Sequence, residues 1–190
     1  MSRLATPGVM TTEEMLALPE DGMDRELIRG QLRERPMTKR NMDHSSVEAR
    51  LAHILASWLD QRPGLGGRVV SGEAGFRLRR NPDTSVGIDV AYVSAEVVAK
   101  SPKKKAFFEG PPVLAVEIFS PSDKHEEVAE KAHEYLDAGV PLVWWVDPEF
   151  RTVMVHRPGT EPELFNVRQE LSGEPHLPGF RVPVAELFKF

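Results

Sequence analysis

Within the run VLAVEIFS, residues 113–120, one ionisable residue, Glu117, interrupts an otherwise apolar, β-forming stretch. No other feature constrains the fold as strongly. Its length and composition are those of a strand buried on both faces. A carboxylate taken out of water without a partner costs several kcal/mol even after its surroundings relax. A chain that places this strand at the centre of a sheet must bring a cation, a shared proton or a metal ion to Glu117.

Side chains alternate along a strand, so Val113, Ala115 and Glu117 share one face. In IDVAYV, residues 88–93, the same rule groups Asp89 with Ala91 and Val93. Asp89 falls at the beginning of its strand and Glu117 near the end of its own. Antiparallel neighbours therefore bring both carboxylates to one edge, and the small Ala91 and Ala115 leave space beside them. Two close carboxylates raise each other's pKa unless something relieves the repulsion, and a hard divalent cation does so.

The third member lies on the following helix, where Val128, Ala132, Tyr135 and Leu136 mark the buried stripe. A rotation of about 100° per residue puts Lys131 on its flank, with an apolar stem long enough to carry the ammonium to the sheet edge. Asp89 and Glu117 as ligands of Mg²⁺, or of Mn²⁺, with Lys131 beside them, form a minimal set for metal-assisted phosphodiester hydrolysis. Taken singly, Asp89 also reads as a turn acid, Glu117 as a paired structural glutamate and Lys131 as a solvated helix residue. The constellation carries the chemistry.

The rest of the chain supplies a scaffold for that edge. TTEEMLALP predicts a short capped helix, RELIRGQLRERP a hairpin turning at Arg29-Gly30, and the apolar spacing from His44 to about Gln61 a long amphipathic helix. RVVSGEAGFRLRR and GIDVAYVS read as strands around a turn in NPDTSVG, AEVVAK as a small helix, and PLVWWVDP and RTVMVHRP as a final pair of strands. Ser122 or Asp123 is expected to cap the helix that carries Lys131, which ends at Gly139. The proline-punctuated tail predicts a packed irregular segment. The class is α/β (α+β), a mixed sheet flanked by helices, in a single domain spanning residues 1–190.

Composition narrows the chemistry. The 190 residues contain no cysteine, which excludes thiolate catalysis and sulfur-ligated zinc and fits a reducing, cytoplasmic setting. No apolar run is long enough to span a membrane. A net charge of −5 means that attraction to nucleic acid must come from local groups. The candidates are Lys39 with Arg40, then Arg77, Arg79 and Arg80, then Lys100 with Lys103, Lys104 and Lys105. HEEVAEKAH separates its histidines by eight residues, too far for a chelating pair on one helix, and Ser120 lacks the glycine-flanked turn of a serine nucleophile.

Taken in order, RELIRGQL, a helix led by His44, IDVAYV, VEIFSPSD, Lys131 with Tyr135, and AGVPLVWWVDP make the chain resemble the Uma-type family of proposed restriction endonucleases. That family is a branch of the PD-(D/E)XK nuclease superfamily. The resemblance runs from about Thr11 through the final strands. It implies a restriction-endonuclease-like core and Mg²⁺-dependent cleavage of DNA. Asp89 then matches the first metal-binding acid, Glu117 the second, and Lys131 a lysine displaced onto the helix. Phe119 stands where the superfamily pattern has lysine, and Ile88 where it has proline. Glu26 and His44 match recurrent polar positions and are auxiliary candidates for metal, water or substrate contact, and Glu73 is a further acid near the same edge. A homodimer is expected for double-strand cutting. The reading from a different class is a non-catalytic descendant of the fold that binds DNA or protein.

Overall fold

The computed structural model describes residues 8–37, 39–101, 106–120 and 125–190. A short helix α1 (Thr12–Leu16) is closed by a capping box, in which the Thr11 side chain accepts from the Glu14 amide and Glu14 reaches back to the Thr11 amide. The hairpin of β1 (Met23–Ile28) and β2 (Gln31–Pro36) turns through Arg29 at φ 51° and Gly30 at φ 76°. Positive φ at both central residues is the turn whose twist suits paired strands. A Cβ on Gly30 would also lie 2.2 Å from Val9 Cγ1.

Helix α2 (Met42–Asp60) begins where the Asn41 side chain accepts from the His44 amide, and it buries His44, Val47, Leu51, Leu55 and Trp58 along one stripe. Strands β3 (Arg68–Arg79) and β4 (Thr84–Val93) follow, then α3 (Ala95–Lys100), β5 (Phe107–Glu109) and β6 (Leu114–Ile118). Helix α4 (His125–Asp137) leads to β7 (Leu142–Asp147) and β8 (Thr152–His156). The tail is more regular than its prolines suggest. It adds β9 (Glu163–Asn166) to the main sheet, pairs β10 (Glu170–Ser172) with β11 (Arg181–Pro183), and closes with a 3-10 helix at Val184–Phe188. The expected caps Ser122 and Asp123 lie outside the described residues.

The main sheet runs β2-β1-β4-β6-β7-β8-β9, with β3 on β4 and β5 on β3. It is mixed: β6 and β7 are parallel, as are β3 and β5, and the other pairs are antiparallel. Strand β4 begins at Thr84, so Asp89 lies in its middle and not at its beginning as expected. β3 follows one side of β4 along its length. The other side is divided. β1 meets it at Leu27↔Ser85, β6 meets it over Val90↔Val116 to Tyr92↔Leu114, and the two diverge between, around Gly87 and Asp89.

One face of the sheet packs on α2 and the tail, joining Leu51, Leu55, Leu114, Val116, Trp144 and Phe180 in one core. The opposite face packs on α4, where Ala91 and Ala115, paired across the strands, meet Ala132 and Tyr135. The space expected beside these alanines is thus filled by α4, with Tyr135 fully buried. Small residues on the sheet let a helix approach closely, and the carboxylates stand at its rim. Among the described residues, no helix is long and apolar enough to cross a membrane.

Candidate active site

The fork between β1 and β6 frees backbone groups of β4, and side chains from the surrounding elements satisfy them. Glu26 on β1 accepts from the Gly87 amide through Oε1 at 3.2 Å, while Lys131 Nζ on α4 donates to the Gly87 carbonyl at 3.3 Å. The Ile118 amide at the end of β6 donates to Asp89 Oδ2 at 2.8 Å. Buried polar backbone groups need partners, and here the candidate functional residues supply them.

Lys131 Nζ is shared among three acceptors: Glu26 Oε1 at 2.9 Å, Glu117 Oε1 at 3.1 Å and the Gly87 carbonyl. Glu117 Oε1 also accepts a short hydrogen bond from the Tyr135 hydroxyl. Burial pushes the Glu117 carboxyl up to about 7, aided by Asp89 and Glu26 and opposed by the Lys131 charge and the Tyr135 hydroxyl. Burial alone would lower the Lys131 ammonium, but Glu117 and Glu26 outweigh it and hold it above its usual value. Burial likewise raises the Tyr135 phenol, with Glu117 adding to the effect. For Asp89 burial acts upward, and the adjacent His44 imidazole, the Ile118 amide and Lys131 together hold it below the usual carboxylate range.

These groups lie on a cleft of about 420 Å³. Its other wall is the hairpin, where Arg33 stands opposite Glu26 and Arg35 opposite Asp24 in the strand register. Arg35 Nε donates to Asp24 at 2.7 Å, and Arg33 Nη2 reaches Glu130 of α4 at 2.6 Å. Arg40 lies at the mouth, paired with Glu73 and 3.9 Å from Asp89 Oδ1. Glu73 itself sits at φ 54° in a bulge of β3, turned toward Arg40.

The donor set suits a hard divalent cation: two neighbouring buried carboxylates, one of them raised in pKa by burial, on an open polar cleft. His44 is 1% exposed, with Nε2 3.4 Å from Asp89 Oδ2 and Nδ1 3.9 Å from Glu48 Oε2, and neither nitrogen has a hydrogen-bond partner. One atom each of His44, Glu48 and Asp89 lies within 4.8 Å of the others. The fold thus brings Asp89, Glu117, Lys131 and Glu26 to one cleft, with His44 behind Asp89.

One sequence expectation for charge does not survive. Arg77 is buried and bound to Glu13 at 2.7 Å, Glu109 at 3.2 Å and Asp83 at 3.8 Å, so it fixes α1 and β5 to the sheet and is not a surface cation. Arg80 pairs with Glu109 and Lys100 with Glu96. Lys103, Lys104 and Lys105 lie outside the described residues. Sequence reasoning missed Arg33, Arg35, Tyr135 as a partner of Glu117, and Glu48. Only Glu48 left a local signal, its separation of four from His44 on one helix.

A mixed sheet with a helix on each face and a lysine–carboxylate cluster at a fork of its central strands defines a nuclease-like α/β fold. A crystal structure of a protein from Anabaena variabilis, described as a "putative nuclease" belonging to DUF820, shares it with a TM-score of 0.78 at 23% identity, covering 94% of this chain and 97% of that one. The chain belongs to the Uma2 family, described as "Putative restriction endonuclease", whose model matches residues 12–185. No curated protein matches it.

Proposed function

We propose that this chain is a Mg²⁺-dependent endonuclease that hydrolyses DNA phosphodiester bonds, with Mn²⁺ as an alternative ion. The observation that carries the reading is the pairing of Glu117 with Lys131 and Tyr135 beside Asp89, on the floor of an open cleft. Family membership supports a nuclease in general. Asp89 and Glu117 would hold the ion, which supplies Lewis-acid polarisation of phosphate and water when bound.

The chain's own groups do the rest. The Tyr135 hydroxyl and the Lys131 ammonium fix Glu117 in one orientation and favour its ionised form. Lys131 is the cation nearest the pair and stabilises charge that develops on the phosphoryl oxygens. Glu26 also holds that ammonium, accepting from it through Oε1 at 2.9 Å. Arg33, Arg35 and Arg40 offset the acids of the cleft and draw in a phosphate backbone. On this reading the protein acts in the cytoplasm, as one domain, and pairs into a homodimer to cut both strands.

The test is nicking of supercoiled plasmid with and without Mg²⁺, comparing the purified protein with Asp89→Ala. Metal-dependent nicking lost in the variant and on chelation supports the reading. Equal activity in the two preparations overturns it.

A further inference from the structure

On the sheet face opposite α4, helix α2 and the tail form a second open cavity, of about 290 Å³, which shares no lining residue with the cleft of Glu117 and Lys131. We propose that this cavity binds a phosphate group, carried either by a nucleic acid backbone or by a small phosphate ester. The proposal does not rest on the nuclease reading.

One stripe of α2 builds the first wall. Arg50, His53, Ser57 and the C-cap Gln61 recur at helical spacing, beside the apolar Ile54 and Trp58. The other wall is the turn that leads into β11, with Gly179 and Arg181, and Arg62 follows the end of the helix. Three guanidiniums and an imidazole therefore line one space, and among the described residues no acid lines it. In a chain of net charge −5 this is a local reversal of sign.

The arginines are held in place, and each keeps donors unused. Arg62 lies over the Trp58 ring, 5.4 Å from its centroid, and donates through Nη1 to the Trp58 carbonyl at 2.9 Å. Its Nη2 donates to the Gly179 carbonyl at 3.4 Å, and the Trp58 indole fixes the same turn by donating to the Pro178 carbonyl at 3.1 Å. Gly179 stands at φ 67°, and a Cβ there would lie 2.8 Å from Arg62 Nη2, so a glycine is what admits the guanidinium. Arg50 donates from Nε and Nη2 to the carbonyl and carboxylate of Glu186, at 3.0 and 3.2 Å, and Arg181 from Nη1 to Glu170 at 3.1 Å. Arg50 Nη1, Arg62 Nε, and Arg181 Nε and Nη2 are left without an acceptor among the described residues.

The donor set selects the ligand. Planar guanidinium forks match the oxygens of a phosphate, and forks ordered beforehand lose little freedom on binding. Three of them call for at least three acceptor oxygens, which a phosphate supplies and a carboxylate does not. The Ser57 hydroxyl and the Gln61 amide add neutral donors on the same wall. At about 290 Å³ the cavity stands at the lower end of the range for small-molecule sites, with room for one phosphate ester.

The experiment follows the arginine Nε–Hε resonances of the full chain by nuclear magnetic resonance during a titration with inorganic phosphate at constant ionic strength. The expected result is a saturable shift of the Arg50, Arg62 and Arg181 signals. Arg181→Ala and His53→Ala, both at exposed positions and so neutral to the core, weaken it about 10-fold at the remaining signals. Arg168→Ala, at an exposed arginine outside the cavity, leaves it unchanged. A parallel titration with a duplex oligonucleotide under chelation identifies the source: a duplex that moves the same signals assigns the nucleic acid backbone, and one that leaves them in place while phosphate moves them assigns a small phosphate ester. Absence of a saturable shift with inorganic phosphate overturns the site. So does equal affinity in the wild type and in both cavity variants, which would mean loose screening of surface charge.

Discussion

Lys131 Nζ lies 3.1 Å from Glu117 Oε1, so the helix that follows the central strand returns its lysine to the acid that the strand buries. Removing the ammonium tests both halves of that relationship. Lys131→Ala is expected to lower Mg²⁺-dependent cleavage at least ~10²-fold, the scale of losing one charge stabiliser in a dry site. It should unfold the protein less than the loss of a buried ion-pair partner normally does, because Glu117, already at about 7, takes up a proton instead of remaining an uncompensated charge. Plasmid nicking and a thermal melt at neutral pH measure the two effects.

Tyr135 touches Glu117 and no solvent. Tyr135→Phe keeps the ring in the core and deletes only the donor. The expected outcome is a stability loss of about 1 kcal/mol, read by urea denaturation. Mg²⁺ binding should weaken about 10-fold in calorimetry, since a carboxylate that loses its orienting partner binds metal less well.

Arg40 and Arg77 separate two uses of positive charge. Arg40 faces the cleft, so Arg40→Ala should weaken binding of a duplex oligonucleotide and reduce the salt dependence by about 0.9 in log–log slope, measured by fluorescence anisotropy. Arg77→Met should leave that slope unchanged. It strands the buried Asp83 beside α1 and should cost about 3–5 kcal/mol of stability instead.

Asp83 gives a pH signature away from the cleft. Burial acts to raise its carboxyl, but the Thr12 hydroxyl and amide, the Asn81 amide and Arg77 hold it below its usual 3.8. A carboxyl depressed by folding stabilises the native state above its unfolded pKa, and that contribution is lost as the pH falls through the folded value. Asp83→Asn should therefore be less stable than the wild type by about 1–3 kcal/mol at pH 7, with the gap closing under acid conditions below the ordinary Asp range. Urea melts across this range provide the measurement. A gap that widens on acidification would refute the assignment.

What the sequence revealed follows the range of the interactions involved. Strand alternation is local, so VLAVEIFS grouped Glu117 with Ala115 and helical rotation put Lys131 on a flank, whereas in IDVAYV the alternation breaks at Asp89, since Ile88 and Ala91 both join the cluster under α4 and Val90 joins the other. Arg77 looked like a surface cation because its partners come from three distant segments, at Glu13, Asp83 and Glu109. Arg33 and Arg35 were invisible as cleft residues for the same reason. The partner of Arg33 across the gap is Glu130 on α4, and hairpin and helix meet only in the folded chain. The order in the tail arises from Leu171, Phe180 and Leu187 packing beneath α2, a tertiary gain that local proline content does not report.

The bridge between β1 and β4 at Leu27↔Ser85 has a consequence for how such proteins diversify. The wall bearing Arg33 and Arg35 is an edge hairpin that joins β4 at one ladder pair, helped by the Gly30 amide on the Asp83 carbonyl and by Glu26 on the Gly87 amide, whereas Asp89 and Glu117 belong to strands laced together on the interior of the sheet. Grafting a relative's hairpin that keeps Glu26 beneath the Lys131 ammonium would swap the surface that greets an incoming substrate while sparing Asp89, Glu117 and Lys131. Selectivity and chemistry can thus evolve on separate timetables.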